Sequence, residues 1–74
     1  MQVQVRCYAT LSPYSPPEGL VEMAPGSTPR DLIQNLGLPM DEVKIIFVNG
    51  KSADLSTPLG DQDRVGVFPA VGGG

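Results

Sequence analysis

Apolar and polar residues alternate at the start of the chain, where Val3, Val5 and Cys7 are set between Gln2, Gln4, Arg6 and Tyr8. A period of two marks a strand with one buried face, and it predicts a first strand from about Gln2 to Thr10. The stretch Ser12-Pro13-Tyr14-Ser15-Pro16-Pro17 cannot extend it, because each proline lacks the amide hydrogen that a ladder needs. Alternation resumes from Gly19 to Ala24, with Leu20 on one face and Val21 and Met23 on the other. Two successive strands joined in this way predict an antiparallel hairpin.

The pattern then changes period. After a turn at Pro25-Gly26, Thr28 stands as N-cap, Pro29 at the first helical position and Asp31 where a carboxylate favours a helix N-terminus. Leu32, Ile33 and Leu36 share one face, Gly37 supplies a left-handed stop and Pro39 prevents resumption. The predicted helix, Pro29 to Leu36, is too short to persist alone in water, so it must lay that face on the sheet. Val43 to Val48 is the most hydrophobic strand, and the following Asn49-Gly50 is the dipeptide of a tight hairpin turn, with Lys51 to Asp54 returning beside it. The polar, turn-rich segment from Leu55 to Asp63 uses Leu55 and Leu59 as plugs for the core, and Arg64 to Phe68 forms the last strand. The order ββαβββ predicts an α+β fold: a mixed sheet of four to five strands with one main helix packed on one face.

Composition narrows the chemistry. Seventy-four residues make one small domain, and such a chain buries only roughly 60% of the surface it exposes when unfolded, which disfavours a large enclosed site. Five Lys and Arg against eight Asp and Glu give a net charge of −3, with no basic run to neutralise phosphates, so nucleic acid is not an expected partner. The acidic balance would suit a basic surface on a partner, and would equally serve just to keep a small protein soluble. The chain has no His and a single Cys, Cys7, which excludes disulfide frameworks, zinc-finger ligand sets and any triad using His as base. The longest purely aliphatic or aromatic run, Ile45 to Val48, is far short of a membrane span, and Gln2, Gln4 and Arg6 break any leader-like stretch. A cytoplasmic protein with no membrane association is expected.

Individual residues follow the same reasoning. Cys7 alternates with Val3 and Val5 and is read as a small core hydrophobe. Asp61 and Asp63, in a turn beside Arg64, are read as solvated carboxylates, and no metal site is expected. If Val65 and Val67 face the core, Gly66 and Phe68 lie on the other face, where an aromatic next to Pro69 would fill a partner's pocket. Tyr8 points to the same side. No nucleophile–base pair, phosphate loop or metal set can be assembled, so no catalytic residue is assigned.

Beyond Pro69 the chain reads Ala70-Val71-Gly72-Gly73-Gly74, five residues that reach roughly 16 Å when extended. Three glycines at a free carboxyl terminus add nothing to packing, but their bare backbone fits a narrow channel and can present the terminal carboxylate to another protein. The chain therefore divides into a domain over residues 1–69 and a flexible glycine-rich tail over residues 70–74.

The run from Pro58 to Gly74, with Asp61-Gln62-Asp63-Arg64-Val65 leading into Phe68-Pro69-Ala70-Val71 and the terminal glycines, resembles the carboxyl end of the ubiquitin-like sulfur carriers. These are the small subunit of molybdopterin synthase (MoaD) and the thiamine-pathway carrier (ThiS). The hairpin, the helix begun at Thr28-Pro29 and the strand ending at Phe47-Val48-Asn49-Gly50 extend the resemblance over the whole chain. It implies a β-grasp fold and the role of co-substrate rather than enzyme. An E1-like adenylating enzyme would spend ATP on the Gly74 carboxylate, and a persulfide donor would convert the acyl-adenylate to a thiocarboxylate. Gly72 and Gly73 would thread the partner's channel, Phe68, Pro69 and Val71 would contact the partner, and no cofactor would be bound. The pattern Phe68-Pro69-x-Val71 is more similar to the molybdopterin branch, in which the charged carrier docks in the large synthase subunit and gives its sulfur to a pterin precursor. A thiamine-type carrier, a ubiquitin-like modifier joined to lysines through Gly74, and a passive binding module are the alternatives. Two departures stand out: Gln62 replaces a frequent Gly and Ala70 a frequent Pro. Because glutamine resists left-handed backbone, a different local turn is expected at Gln62.

Overall fold

The computed structural model describes residues 1–70 of the 74-residue chain. Five strands, β1 (Gln2–Cys7), β2 (Leu20–Glu22), β3 (Val43–Val48), β4 (Lys51–Ser52) and β5 (Arg64–Pro69), and one helix, α1 (Pro29–Leu36), are joined by short 3-10 turns. They form a single sheet in the order β2-β1-β5-β3-β4. The central pair, β1 and β5, is parallel, and every other pairing is antiparallel. This is the mixed sheet with one covering helix that the periodicity predicts.

α1 forms where its caps place it. Asp31 N–H donates to Thr28 Oγ1 at 3.4 Å and Thr28 N–H donates to Asp31 Oδ2 at 3.0 Å, a reciprocal box that satisfies two otherwise orphaned amides. Gly37 closes the helix at φ 73°, and Leu38 N–H bonds back to Ile33 O at 3.1 Å. The buried stripe holds Leu32 and Ile33, with Leu36 packed at its margin. Val3, Val5 and Cys7 from β1, Val65 and Val67 from β5, and Ile46 from β3 meet it from the sheet. Leu59 plugs the core fully and Leu55 partly.

Several boundaries differ from expectation. β1 stops at Cys7 rather than Thr10, because Ala9 turns to φ 53° and a 3-10 segment runs from Ala9 to Tyr14. That segment drives Leu11 to complete burial, a core position the proline-rich stretch conceals. β2 and β4 are shorter than predicted, as edge strands with one neighbour often are. Asn49 and Gly50 take φ 53° and 82°, the double left-handed turn expected of that pair.

The turn before β5 corrects two expectations. Gln62 adopts φ 68°, the left-handed conformation that glutamine was expected to avoid. Hydrogen bonds hold it there: Gln62 N–H donates to Gln2 O at 2.7 Å, and Gln2 N–H donates to Asp61 Oδ1 at 2.8 Å. Nor is Asp63 simply solvated. Its carboxylate accepts from Gly60 N–H at 2.7 Å and from Asn49 Nδ2 at 2.9 Å, while Asn49 Oδ1 accepts from Arg64 N–H at 3.0 Å. Asp61 and Asp63 thus tie the entry of β5 to β1 and to the β3–β4 hairpin.

Candidate docking face

One face of the sheet has no helix. On it the outward positions of β1, β5 and β3 bring together Tyr8, Gly66, Phe68, Ile45 and Phe47. The register explains the grouping: Gly66 lies between Arg6 of β1 and Phe47 of β3, and Ile45 lies opposite Phe68. Tyr8 N–H extends the ladder to Val67 O at 3.0 Å, which sets the tyrosine beside Phe68.

The Tyr8 and Phe68 rings stack at a centroid distance of 4.3 Å with planes 2° apart. Phe47 meets Phe68 edge-on at 5.6 Å and 86°. Such pairs contribute about 0.5–1.5 kcal/mol each beyond their buried area. Gly66 lies directly beneath two of them: a Cβ there would make ordinary contact with Phe68 Cε2 at 3.4 Å and Tyr8 Cε2 at 3.5 Å. The rings lie over bare backbone, and Tyr8 and Ile45 remain 37% and 43% exposed. An open recess of ≈ 620 Å³ runs beside them, lined also by Gln4, Arg6, Glu18 and Arg64.

Charge on this face departs from the acidity of the whole chain. Arg6 and Arg64 line the recess with Glu18 as the one carboxylate, in a chain of net charge −3.

Phe68 is half-buried in the ring cluster, while Pro69 is buried and continues the ladder opposite Val43. At this end of β5 the accessible apolar surface therefore comes from Phe68 and its ring neighbours. Val71, Gly72, Gly73 and Gly74 lie outside the described residues. Ile45 and Phe47 are the members of the cluster that sequence reading did not assign. Outward alternation in β5 marks Gly66, but the unbroken apolar run of β3 hides which of its residues faces out.

Cys7 is buried and points the other way. Burial pushes its thiol pKa up, against a smaller lowering by the hydrogen bond with Ser15, so it is a poor nucleophile. Among the described residues no three His, Cys, Asp or Glu side chains converge as a metal site, and no helix is long and apolar enough to cross a membrane.

Comparison with known proteins agrees with this architecture. The model of the ThiS family matches residues 5–74. A Pyrococcus furiosus structure described as molybdopterin converting factor, subunit 1, is 27% identical with a TM-score of 0.75, covering 96% of this chain and 99% of that one. A Helicobacter pylori complex of subunits 1 and 2 of molybdopterin-converting factor matches at 25% identity and a TM-score of 0.63 over the full length of both chains. Small archaeal modifier protein 1 of Haloferax volcanii, 18% identical, has a TM-score of 0.73 over 95% of this chain and 98% of that one, and shares the fold. The architecture is the ubiquitin-like β-grasp. No curated protein matched.

Proposed function

The chain belongs to the ThiS family, and from that premise we propose that it carries sulfur as a thiocarboxylate on Gly74 for molybdopterin synthesis. The observation that carries the reading is the family match, which runs from β1 through to the terminal Gly72-Gly73-Gly74. The similarity to subunit 1 of molybdopterin-converting factor, one example of which is in complex with subunit 2, supports the molybdopterin branch and a larger protein partner.

The division of labour follows from the chemistry. A carboxylate is a weak acyl electrophile until one oxygen becomes part of a good leaving group. An E1-like enzyme would join the Gly74 carboxylate to AMP from ATP, releasing pyrophosphate. A persulfide donor would then displace AMP, and reductive cleavage of the resulting acyl disulfide by a thiol would leave the thiocarboxylate. This chain contributes binding and reach. The ring cluster of Tyr8, Phe47 and Phe68 docks the body, and Phe68 lies close to the start of the tail, so docking there places Gly74 within a short span of the partner's reactive centre.

Mass spectrometry tests the proposal after incubation with the E1-like enzyme, ATP and a persulfide donor. The expected product has gained the mass difference between sulfur and oxygen at the Gly74 carboxylate, and it loses that mass again when the large synthase subunit and a pterin precursor are added. Gly74 found in isopeptide linkage to lysines, with no thiocarboxylate formed, would refute it.

A further inference from the structure

Among the described residues the two guanidiniums of the open face make no hydrogen bond to the rest of the fold. Arg6 and Arg64 are exposed outward residues of the paired strands β1 and β5, diagonal neighbours because Gln4 is opposite Arg64 and Arg6 opposite Gly66. Both line the recess beside the Tyr8–Phe68 stack. Among the described residues neither forms an ion pair within 4.0 Å, and the hydrogen bonds at Arg64 run through its backbone. Three of the chain's eight carboxylates are committed elsewhere: Asp31 to the cap of α1, and Asp61 and Asp63 to the turn before β5. Glu18 is the only acid lining the recess, so two cations face one anion in an otherwise acidic protein.

With Glu18 as the one carboxylate lining the recess, this pair of diagonal arginines leaves the face with an excess of positive charge that a partner's carboxylates can meet. Arginine has a planar fork that takes a carboxylate bidentately and can lie against an aromatic ring at the same time. Resting on the carrier function above, we propose that this face docks on an acidic protein surface, an apolar recess for the Tyr8–Phe68 pair flanked by carboxylates that Arg6 and Arg64 engage. The chain's net charge then works against non-specific approach to that acidic partner, and the arginines supply orientation, so that only the ring face leads.

The test measures pyrophosphate release by the E1-like adenylating enzyme as the carrier concentration is varied, from about 0.1 M to about 1 M salt, across which the screening length falls from roughly 10 Å to 3 Å. For the wild type, KM is expected to rise with salt while kcat stays level. The double variant Arg6→Gln, Arg64→Gln should raise KM about tenfold at the lower salt and flatten its salt dependence, and Arg6→Glu, Arg64→Glu should raise it further. Arg30→Glu, exposed on α1 at the opposite face of the sheet, should change KM little. Circular dichroism on each variant confirms the fold, since both arginines are exposed. An unchanged or lower KM in the charge-reversed variant, with the wild type still adenylated, overturns the acidic partner surface and leaves the carrier function standing. A wild type that no E1-like enzyme adenylates overturns both.

Discussion

The two faces of the sheet are built from alternate residues of the same strands, yet they are different materials. Towards α1, β1 presents Val3, Val5 and Cys7 and β5 presents Val65 and Val67, all buried against Leu32 and Ile33. Away from it, the same strands present Gln4, Arg6, Tyr8, Arg64, Gly66 and Phe68. The first face is aliphatic and closed, with no buried polar residue among the described ones. The second gathers aromatic rings over a glycine and rims them with charge. Aliphatic side chains without polar atoms suit a permanent interior. Rings that are partly exposed, stacked on one another and flanked by arginines suit a surface that is covered only some of the time. A period of two is thus enough to write a closed core and an exposed aromatic surface into one strand.

The largest effect should come from the closed face. Leu32→Ala removes a completely buried side chain and should cost about 2–5 kcal/mol, read as a lower urea midpoint with an unchanged slope. A smaller loss would mean that the core collapses around the gap, and the contrast between the faces would weaken. On the open face, Phe68→Ala should cost roughly 1 kcal/mol of stability through the lost stacking. The same change should weaken binding to the E1-like enzyme by at least about 2 kcal/mol, measured by calorimetry. Equal losses in both assays would make the ring cluster a second core.

A third prediction sets the faces apart by pH. The Cys7 thiol keeps its proton to higher pH in the folded chain than in the unfolded one, because it is buried. As pH rises past the ordinary cysteine range, near about 8.5, the unfolded chain ionises first and stability declines, whereas below that range the thiol makes stability no function of pH. Cys7→Val should lessen the alkaline decline in the thermal midpoint; an identical decline in that variant would assign it to other groups. The smallest effect lies in the turn that joins both faces. Gln62→Gly relieves a left-handed glutamine and should raise stability by roughly 0.5 kcal/mol, the lost strain being partly offset by the greater freedom of unfolded glycine. A loss of stability there would mean that the Gln62 side chain has a packing role of its own.

Much of this was legible in the sequence because single residues dictate local geometry. Thr28, Pro29, Asp31 and Gly37 bound α1 at both ends, Asn49-Gly50 fixed a hairpin, and alternation in β1 and β5 separated inward from outward positions. What stayed hidden depended on partners distant in the chain. Leu11 reaches the core through a 3-10 turn that prolines would be expected to leave at the surface. Phe47 joins the open face because β3 pairs with β5, with an irregularity between Val43 and Ile45, which no run of apolar residues announces. Gln62 accepts its conformation because Gln2, sixty positions earlier, receives its amide hydrogen. Charge placement was hidden for the same reason: a net value says nothing of where Arg6 and Arg64 are placed.

The most direct measurement is an NMR titration of the isotope-labelled carrier with its E1-like enzyme, following side-chain signals on both faces. Shifts and broadening concentrated on the Tyr8, Phe47 and Phe68 rings and on the Gly66 amide, with the methyls of Leu32 and Ile33 unmoved, are predicted. Perturbations centred on the exposed side of α1, at Arg30 and Gln34, with the ring signals unchanged, would contradict the account.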